Sequence, residues 1–257
     1  MPLLVLAALA IVGVGVGAAA LSYTLRHRMA VRGGEGHNDI TGFIFATVSV
    51  LYSVLLAFVV IAVWERFTET EHAVATEASL MVAAYRDTEG FPEPQRSQAQ
   101  DAYREFATAV VTDEWADQID VEVSSAPDAL NAIHAAYSAI EPEDQLQTLR
   151  LVAAESDLHD LGVARQSRHM TVDIRLAPVF WLVLGIGALI TMTFVFLFDF
   201  ASRRVHAALT GLLAGAIVAV LCLVVSLDRP YEGYMQVSKF PFENALQEFD
   251  AIDIPAS

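Results

Sequence analysis

The sequence predicts an all-α integral membrane protein with four transmembrane helices and a helical soluble domain inserted between the second and third of them. Three observations support this fold class. Of the 257 residues, 55% are hydrophobic and only 18% are charged, whereas a soluble domain usually carries about a quarter charged residues. Four runs are nearly free of charge and long enough to cross roughly 30 Å of hydrocarbon as helices. The acidic residues are concentrated between the second and third runs.

The four apolar runs divide the chain into two hairpins, a domain and a tail. The runs cover residues 2–25, 41–64, 177–198 and 206–227. We therefore expect a first transmembrane hairpin at 1–64, an acidic soluble domain at 65–175, a second hairpin at 176–227 and a C-terminal tail at 228–257. The domain contains 22 Asp and Glu, eight Arg and no Lys. Such an acidic block disfavours nucleic acid and anionic lipid surfaces as partners.

The first run is predicted to be a retained membrane helix. It has no Lys or Arg before its apolar core, and that core is longer than the hydrophobic region of an ordinary signal peptide. A cleaved signal peptide is the alternative. Arg26, Arg28 and Arg32 follow this run, and Arg203 and Arg204 follow the third. By the positive-inside rule both short connections are cytoplasmic, which places the soluble domain outside the cytoplasm of a bacterial inner membrane.

The second run is predicted to continue well beyond the membrane, as one helix from about residue 40 to 88. After Trp64, neither Pro nor Gly interrupts the sequence before Gly90. Apolar residues recur near one helical face. They are Phe67, Val74, Ala78, Met81 and Tyr85.

Proline marks the starts of the remaining helices of the domain and the tail. Pro92, Pro127 and Pro142 each stand where a helix can begin. The last of these helices, at about 142–170, carries Leu146, Leu149, Val152, Leu158 and Leu161. We expect it to run on into the third membrane run, so that the domain is continuous with both flanking membrane helices. In the tail, Pro241 opens a short amphipathic helix whose Phe242, Leu246 and Phe249 pack on the domain or lie on lipid.

Small residues form two G-x-x-x-G patterns in the membrane runs. Gly13 and Gly17 lie in the first run, and Gly211 and Gly215 lie in the fourth. This spacing lets helix backbones approach closely. Packing within one subunit explains it as well as dimerisation does.

A polar and small-residue stripe follows one face of the second run. Thr41, Phe45, Ser49 and Ser53 are four residues apart, with Tyr52 beside them, so they share a helical face. Two interpretations remain open. The hydroxyls can bond carbonyls one turn earlier and tune packing without any role in transport. Alternatively, several copies of this helix surround a pore and the stripe faces the ions.

Polar residues flank the proposed pore at one membrane surface. Asn38 and Asp39 precede the second run, and Asp199 ends the third. Carboxylates in such positions concentrate cations. Asp199 has an alternative role as the partner of Arg203 or Arg204.

The sequence contains no recognisable catalytic or metal-binding motif. The seven histidines form neither HExxH nor a Cys/His zinc spacing, and no phosphate-binding loop or nucleophile motif occurs. The acidic residues from Asp113 to Glu122 lack the EF-hand pattern. We expect no metal, no cofactor and no catalytic activity.

Three stretches resemble the bestrophin-like family of small bacterial membrane proteins. They are NDITGFIFATVSVLYSVLLAFVVIAVWERF at 38–67, DEW at 113–115 and LDRPYEGYMQVS at 227–238. The resemblance covers most of the chain, and the family is itself distantly similar to bestrophins, which are oligomeric anion channels. It implies that the second membrane helix lines a pore, with Thr41, Phe45, Ser49, Tyr52 and Ser53 facing it. It also implies a cytoplasmic domain, opposite to the charge-based prediction.

Two functions from different classes follow from these observations. The first is a homo-oligomeric ion channel in the lipid bilayer, because one four-helix subunit is too small to enclose a wide pore. The alternative is a non-conducting membrane scaffold or sensor whose helical domain binds a partner.

Overall fold

The computed structural model describes residues 2–25, 37–115, 124–173, 175–198, 202–232 and 235–254. Within these ranges all regular secondary structure is helical. The helices are α1 (Pro2–Leu25), α2 (His37–Asp87), α3 (Gln95–Ala109), α4 (Ala126–Ser138), α5 (Gln145–Asp173), α6 (Pro178–Leu197), α7 (Arg203–Leu227) and α8 (Phe240–Ile252). The chain divides into two compact units, one of residues 1–66 and 175–235 and the other of residues 67–174 and 236–257.

The first unit contains the apolar helices. Helices α1, α6 and α7 and the beginning of α2 are long and apolar enough to cross a membrane. Large hydrophobic side chains such as Leu9, Phe43, Leu189 and Leu212 are exposed on them. Exposed apolar side chains on helices whose backbone groups are internally bonded suit a hydrocarbon solvent, so the prediction of four membrane-spanning helices is supported.

Helix α2 confirms the prediction of one long helix. It runs for 51 residues from His37 to Asp87, more than twice the roughly 20 residues that a membrane requires. Its second part belongs to the second unit. The expected apolar face is buried there in full, at Phe67, Val74, Ala78, Met81 and Tyr85.

The expected continuity between the domain and the third membrane helix is wrong. Helix α5 ends at Asp173, and residues 175–177 are not helical before α6 begins at Pro178. Ala177 has φ −58° and ψ 140°. A residue before proline is driven to this extended conformation by the proline ring, and Pro178 then suits the first helical position. Among the described residues, α2 is therefore the one unbroken helix that joins a membrane segment to the second unit.

The second unit is built around aromatic side chains at helical spacing. Helix α3 buries Tyr103 and Phe106, and α4 buries Ile133 and Tyr137 against them. The hydroxyls of Tyr103 and Tyr137 are hydrogen-bonded at 3.0 Å, so the polar ends of these two buried rings satisfy each other.

Tail helix α8 packs on this core, as one of the two interpretations of the tail predicted. Phe242 and Phe249 are fully buried. The Phe249 ring stacks on Tyr85 with centroids 3.9 Å apart. Arg104 donates to Asp250 at 2.8 Å and to Asp253 at 2.7 Å, which fixes the far end of the helix on α3.

Helix α5 has buried residues only from Ala154 onward. Leu158 and Leu161 belong to the core. Leu146, Leu149 and Val152 are 56–61% exposed, although their helical spacing resembles that of core residues. Periodicity identifies an apolar face but not what covers it.

Candidate functional site

The stripe on the membrane part of α2 turns one edge toward α6 of the same subunit. Thr41 and Tyr52 are buried and Phe45 is half-buried. The rings of Phe45 and Phe198 meet edge to face, with centroids 5.5 Å apart. Three of the five predicted pore-lining residues therefore pack inside the subunit.

Both the hydroxyl and the ring of Tyr52 contact α6. Its hydroxyl donates to the Leu184 carbonyl oxygen at 3.1 Å. Its ring lies directly over Gly187, where an added Cβ would overlap the ring carbons. Gly187 thus provides the space that lets α2 and α6 approach at this point, and a hydroxyl in an apolar region gains the hydrogen bond that burial demands.

The serines occupy the other edge of the stripe. Ser53 is exposed, and its Oγ donates to the Ser49 carbonyl oxygen at 2.7 Å. Thr47 bonds the Phe43 carbonyl in the same way at 3.1 Å. The Oγ of Ser49 is buried and has no hydrogen-bond partner among the residues that the structure describes. Back-bonding of this type satisfies a hydroxyl locally, and it leaves the Ser53 oxygen with acceptor capacity toward the outside of the subunit.

The predicted mouth residues are only partly described. Asn38 and Asp39 are exposed in the first turn of α2, where the helix dipole favours a negative charge. Asp199 lies outside the described residues, so its pairing with Arg203 or Arg204 stays a prediction. Both arginines are exposed at the start of α7.

The glycines of α1 and α7 meet at a different register from the predicted one. An added Cβ on Gly15 would lie 3.0 Å from the Gly211 carbonyl oxygen, and one on Gly211 would lie 2.8 Å from that of Gly15. Gly215 approaches Ile11 of α1. A Cβ on Gly13 or Gly17 would meet nothing within 4 Å. Gly15 therefore takes the packing role within the subunit, and a role for Gly13 and Gly17 between subunits stays a prediction.

A small polar cluster lies beside this contact. Thr210 donates to the His206 carbonyl oxygen at 2.8 Å, and its Oγ1 lies 3.5 Å from the Ser22 hydroxyl. All three side chains are buried. Polar side chains between membrane helices add hydrogen bonds to close packing, so the cluster reinforces the contact between α1 and α7.

The second unit contains a buried network of two arginines and two carboxylates. Arg168 bonds Glu77 of α2 through Nε and Glu114 through Nη2, the latter at 2.6 Å. Arg165 bonds the same Glu114. The side chains of Arg168, Glu77 and Glu114 are at most 4% exposed. The two positive and two negative charges balance, so the network joins α2, α5 and the turn after α3 without a net buried charge.

Burial and the charges of this network shift the pKa values of Glu114 and His169. Burial acts to raise the pKa of Glu114, but Arg168 and Arg165 outweigh it and hold that pKa below its usual range. His169 lies beside the network, with Nε2 3.9 Å from Glu114 Oε2. Burial, followed by the charges of Arg168 and Arg165, lowers the pKa of His169 to about 4. Because these positive charges repel a proton, His169 is neutral at physiological pH.

Comparison with known proteins decides the family. A family model for the bestrophin-like domain matches residues 9–242. The chain belongs to the bestrophin-like family. No functionally curated relative matches it.

Solved structures show the same fold in distant proteins. A mutant of a bacterial bestrophin homologue from Klebsiella pneumoniae superposes with a TM-score of 0.72 at 12% identity, over 94% of this bestrophin-like chain and 97% of its own. A second crystal structure, described as a membrane protein, gives a TM-score of 0.69 at 12% identity, over 96% and 97% of the two chains. At this identity the likeness concerns the fold.

Sequence reasoning missed several contacts of this bestrophin-like chain. Gly15 and Gly187 are close-approach positions, but only the partner helix reveals them. Arg165 and Arg168 stand shortly before the third apolar run, where basic residues commonly flank a membrane, whereas both are buried among carboxylates. Glu114 was grouped with an acidic surface cluster, and it turns inward instead. Its neighbours Asp117, Asp120 and Glu122 lie outside the described residues, and the described part of the chain holds no group of ligands for a metal ion.

Proposed function

We propose that this protein is an oligomeric membrane ion channel whose second transmembrane helix lines the conduction path. The supporting observation is membership of the bestrophin-like family across residues 9–242. Bestrophins, which the family resembles, are oligomeric channels with the corresponding helix at the pore. A subunit with four membrane helices is too small to enclose a wide pore, so the proposal requires several copies around an axis.

Within this proposal, Ser49 and Ser53 are the stripe residues that face the conduction path. Ser53 is exposed, and Ser49 stands at the border of the buried face. Thr41, Phe45 and Tyr52 support the helix from behind, because they pack inside the subunit. Asn38, Asp39 and Asp199 are proposed at the pore mouth.

Ion flux into proteoliposomes or current in planar bilayers tests this assignment. The test variant carries Ser49→Leu and Ser53→Leu, which adds apolar bulk at two positions one turn apart. The matched control carries Val50→Leu and Val54→Leu, one residue further along, where both side chains are exposed. We expect the serine variant to lose conductance and the valine variant to retain it.

Three outcomes contradict the proposal. Absence of any current from the purified wild-type protein excludes a channel. Loss of conductance only in the valine variant moves the pore to another face of α2. A strictly monomeric mass in detergent is incompatible with a pore shared between copies.

The orientation of the second unit is proposed from charge and stays a prediction. The basic connections favour a location outside the cytoplasm, whereas the resemblance to bestrophins favours the cytoplasm. An exposed reporter decides between them. Gln98 is exposed on α3, so Gln98→Cys in a Cys222→Ser background provides a single accessible thiol. Labelling of intact cells with an impermeant reagent supports the outside location, and labelling only after lysis refutes it.

A second candidate function is a non-conducting scaffold or sensor. The exposed Leu146, Leu149 and Val152 on α5 favour it, because large apolar side chains exposed together on one helix of the second unit are typical of an interaction surface. Replacing all three by Ser tests this function in the conducting assay. Unchanged conductance together with a changed cellular phenotype supports the partner-binding function, while a loss of conductance ties the surface to the channel.

A further inference from the structure

The exposed face of α5 carries a strip of side chains at the spacing of a packed helix. The strip, called the α5 strip below, contains Leu149, Val152, Ser156, His159, Val163 and Met170, all of them exposed. Its four large apolar side chains are 56–61% exposed. Steps of three, four or seven residues keep its members on one helical face, and the strip extends for about 32 Å along the helix.

The buried face of α5 follows the same spacing. Steps of four and three residues alternate between its buried side chains, which are Ala154, Leu158, Leu161, Arg165 and Arg168. A regular repeat of this kind places side chains between those of a neighbouring helix. The α5 strip therefore has the pattern of a second helix-packing face, although it is exposed in the single subunit.

The α5 strip is free of Asp, Glu, Lys and Arg in a strongly acidic part of the chain. Residues 65–175 hold 22 Asp and Glu against eight Arg and no Lys, and the exposed Glu155 and Asp160 stand at the two edges of the strip. Copies of one acidic domain repel each other, so they approach most readily where acidic side chains are missing. A basic partner would instead be attracted to the acidic remainder of the domain.

The second unit exposes another strip without acidic residues, and its side chains are mostly small. This α2 strip contains His72, Thr76, Ser79 and Ala83, which are exposed on one face of α2 at steps of four, three and four residues. Small side chains at a contact let two helix axes approach closely. The large apolar residues of the α5 strip and the small residues of the α2 strip are therefore complementary in size, and neither strip carries a charge that would repel the other.

We propose that the α5 strip of one copy packs on the α2 strip of a second copy of this chain. The two strips are different surfaces and each copy offers both, so successive contacts close into a ring when the rotation between copies permits it. The inference rests on the proposed function, because a pore shared between copies requires such a ring. It assigns the exposed Leu149 and Val152 to assembly of the channel.

Photocrosslinking of the full chain in detergent tests this contact. The photoreactive amino acid p-benzoylphenylalanine replaces Val152 in the test protein. The control protein carries it in place of Phe240, which is 61% exposed on α8 of the same unit. We expect a band at twice the mass of one subunit from the test protein only. Mass spectrometry should place the new bond within residues 72–83 of the second copy.

The outcomes separate this inference from the channel proposal. An oligomeric wild-type mass without a crosslink from position 152 overturns the contact and leaves the channel proposal standing. A bond from position 152 to α5 of the second copy, or to lipid or detergent alone, overturns the contact as well. A strictly monomeric wild-type mass refutes the contact and the channel together.

Introduction of a charge provides a second measurement. Val152→Glu places a carboxylate in the contact between two acidic domains, so the assembly should weaken at least about tenfold. Phe240→Glu adds the same charge outside both strips and should retain the wild-type dissociation on dilution. Both positions are exposed, so the circular dichroism of both variants should match that of the wild type. Equal dissociation of the two variants overturns the inference.

Discussion

Arg168 and Glu77 form a buried ion pair that joins α5 to the long helix α2. The Arg168 side chain is 4% exposed and that of Glu77 is fully buried. The residues are 91 positions apart in the chain. Their contact thus fixes a tertiary relationship between two helices that are distant in sequence.

Removal of this arginine should destabilise the second unit strongly. Arg168→Met leaves the buried Glu77 without a compensating charge, whereas Glu114 keeps Arg165 as a partner. Breaking a buried pair in this way costs about 3–5 kcal/mol. Arg96→Met is the matched control, because the pair between Arg96 and Glu93 is about half-exposed and exposed ion pairs contribute little to stability. Thermal or denaturant unfolding of the full chain in detergent measures both. Equal losses in the two variants would show that the buried network has no special role.

Docking of the tail helix α8 should depend on the buried Phe249 and not on the exposed Phe240. Phe249→Ala removes a fully buried ring that stacks on Tyr85, and such substitutions cost about 3–5 kcal/mol. Phe240→Ala changes the same residue type in the same helix, but Phe240 is 61% exposed. We expect this control to remain within about 1 kcal/mol of the wild type. Protease sensitivity of the tail provides the direct readout, and equal cleavage of both variants would contradict the docking of α8.

Packing of α1 on α7 should be sensitive to a single methyl group. Gly211→Ala places a Cβ 2.8 Å from the Gly15 carbonyl oxygen, so the helices must separate at a cost of about 1–3 kcal/mol. Gly13→Ala meets nothing within 4 Å in the subunit and replaces the weaker helix former. We expect a lower melting temperature in detergent for the first variant only. A comparable loss in Gly13→Ala would indicate that Gly13 packs against another subunit.

His169 should make the second unit less stable in acid. Its pKa is about 4 in the folded protein, against a usual value of 6.5, so the unfolded chain binds the proton more readily between these values. The free energy of unfolding therefore falls as pH decreases from about 6.5 to 4, by about 1–3 kcal/mol. His169→Gln should lose this part of the pH dependence. Parallel unfolding measurements of the two proteins at pH 7 and pH 5 test the difference, and identical pH profiles would exclude the effect.

Much of the helical architecture was predictable, because its signals are local in sequence. Uninterrupted helical spacing predicted that α2 continues beyond the membrane as one helix. The break before Pro178 was missed, since helical periodicity on both sides concealed the short extended segment between them.

Pairwise relations were much harder to predict. The register of Gly15 against Gly211 depends on how two helices rotate, and the G-x-x-x-G spacing pointed to Gly13 and Gly17 instead. Arg165 and Arg168 looked like membrane-flanking charges because their partners Glu77 and Glu114 are distant in sequence. The stripe of α2 was visible as a face, but only the structure of α6 shows that Tyr52 and Phe45 are covered within the subunit.

The contact between α1 and α7 also sets an order of events during synthesis. Ser22 and Thr210, which meet beside the glycines, are 188 residues apart. At roughly 5–20 residues per second, the ribosome needs about 10–40 s to make the partner of the first helix. The tail imposes the same delay on the second unit, because Tyr85 bonds Asp253, 168 residues later. Both units therefore remain incomplete until these distant partner residues have been synthesised, and the glycine face of α1 stays uncovered by α7 during that time.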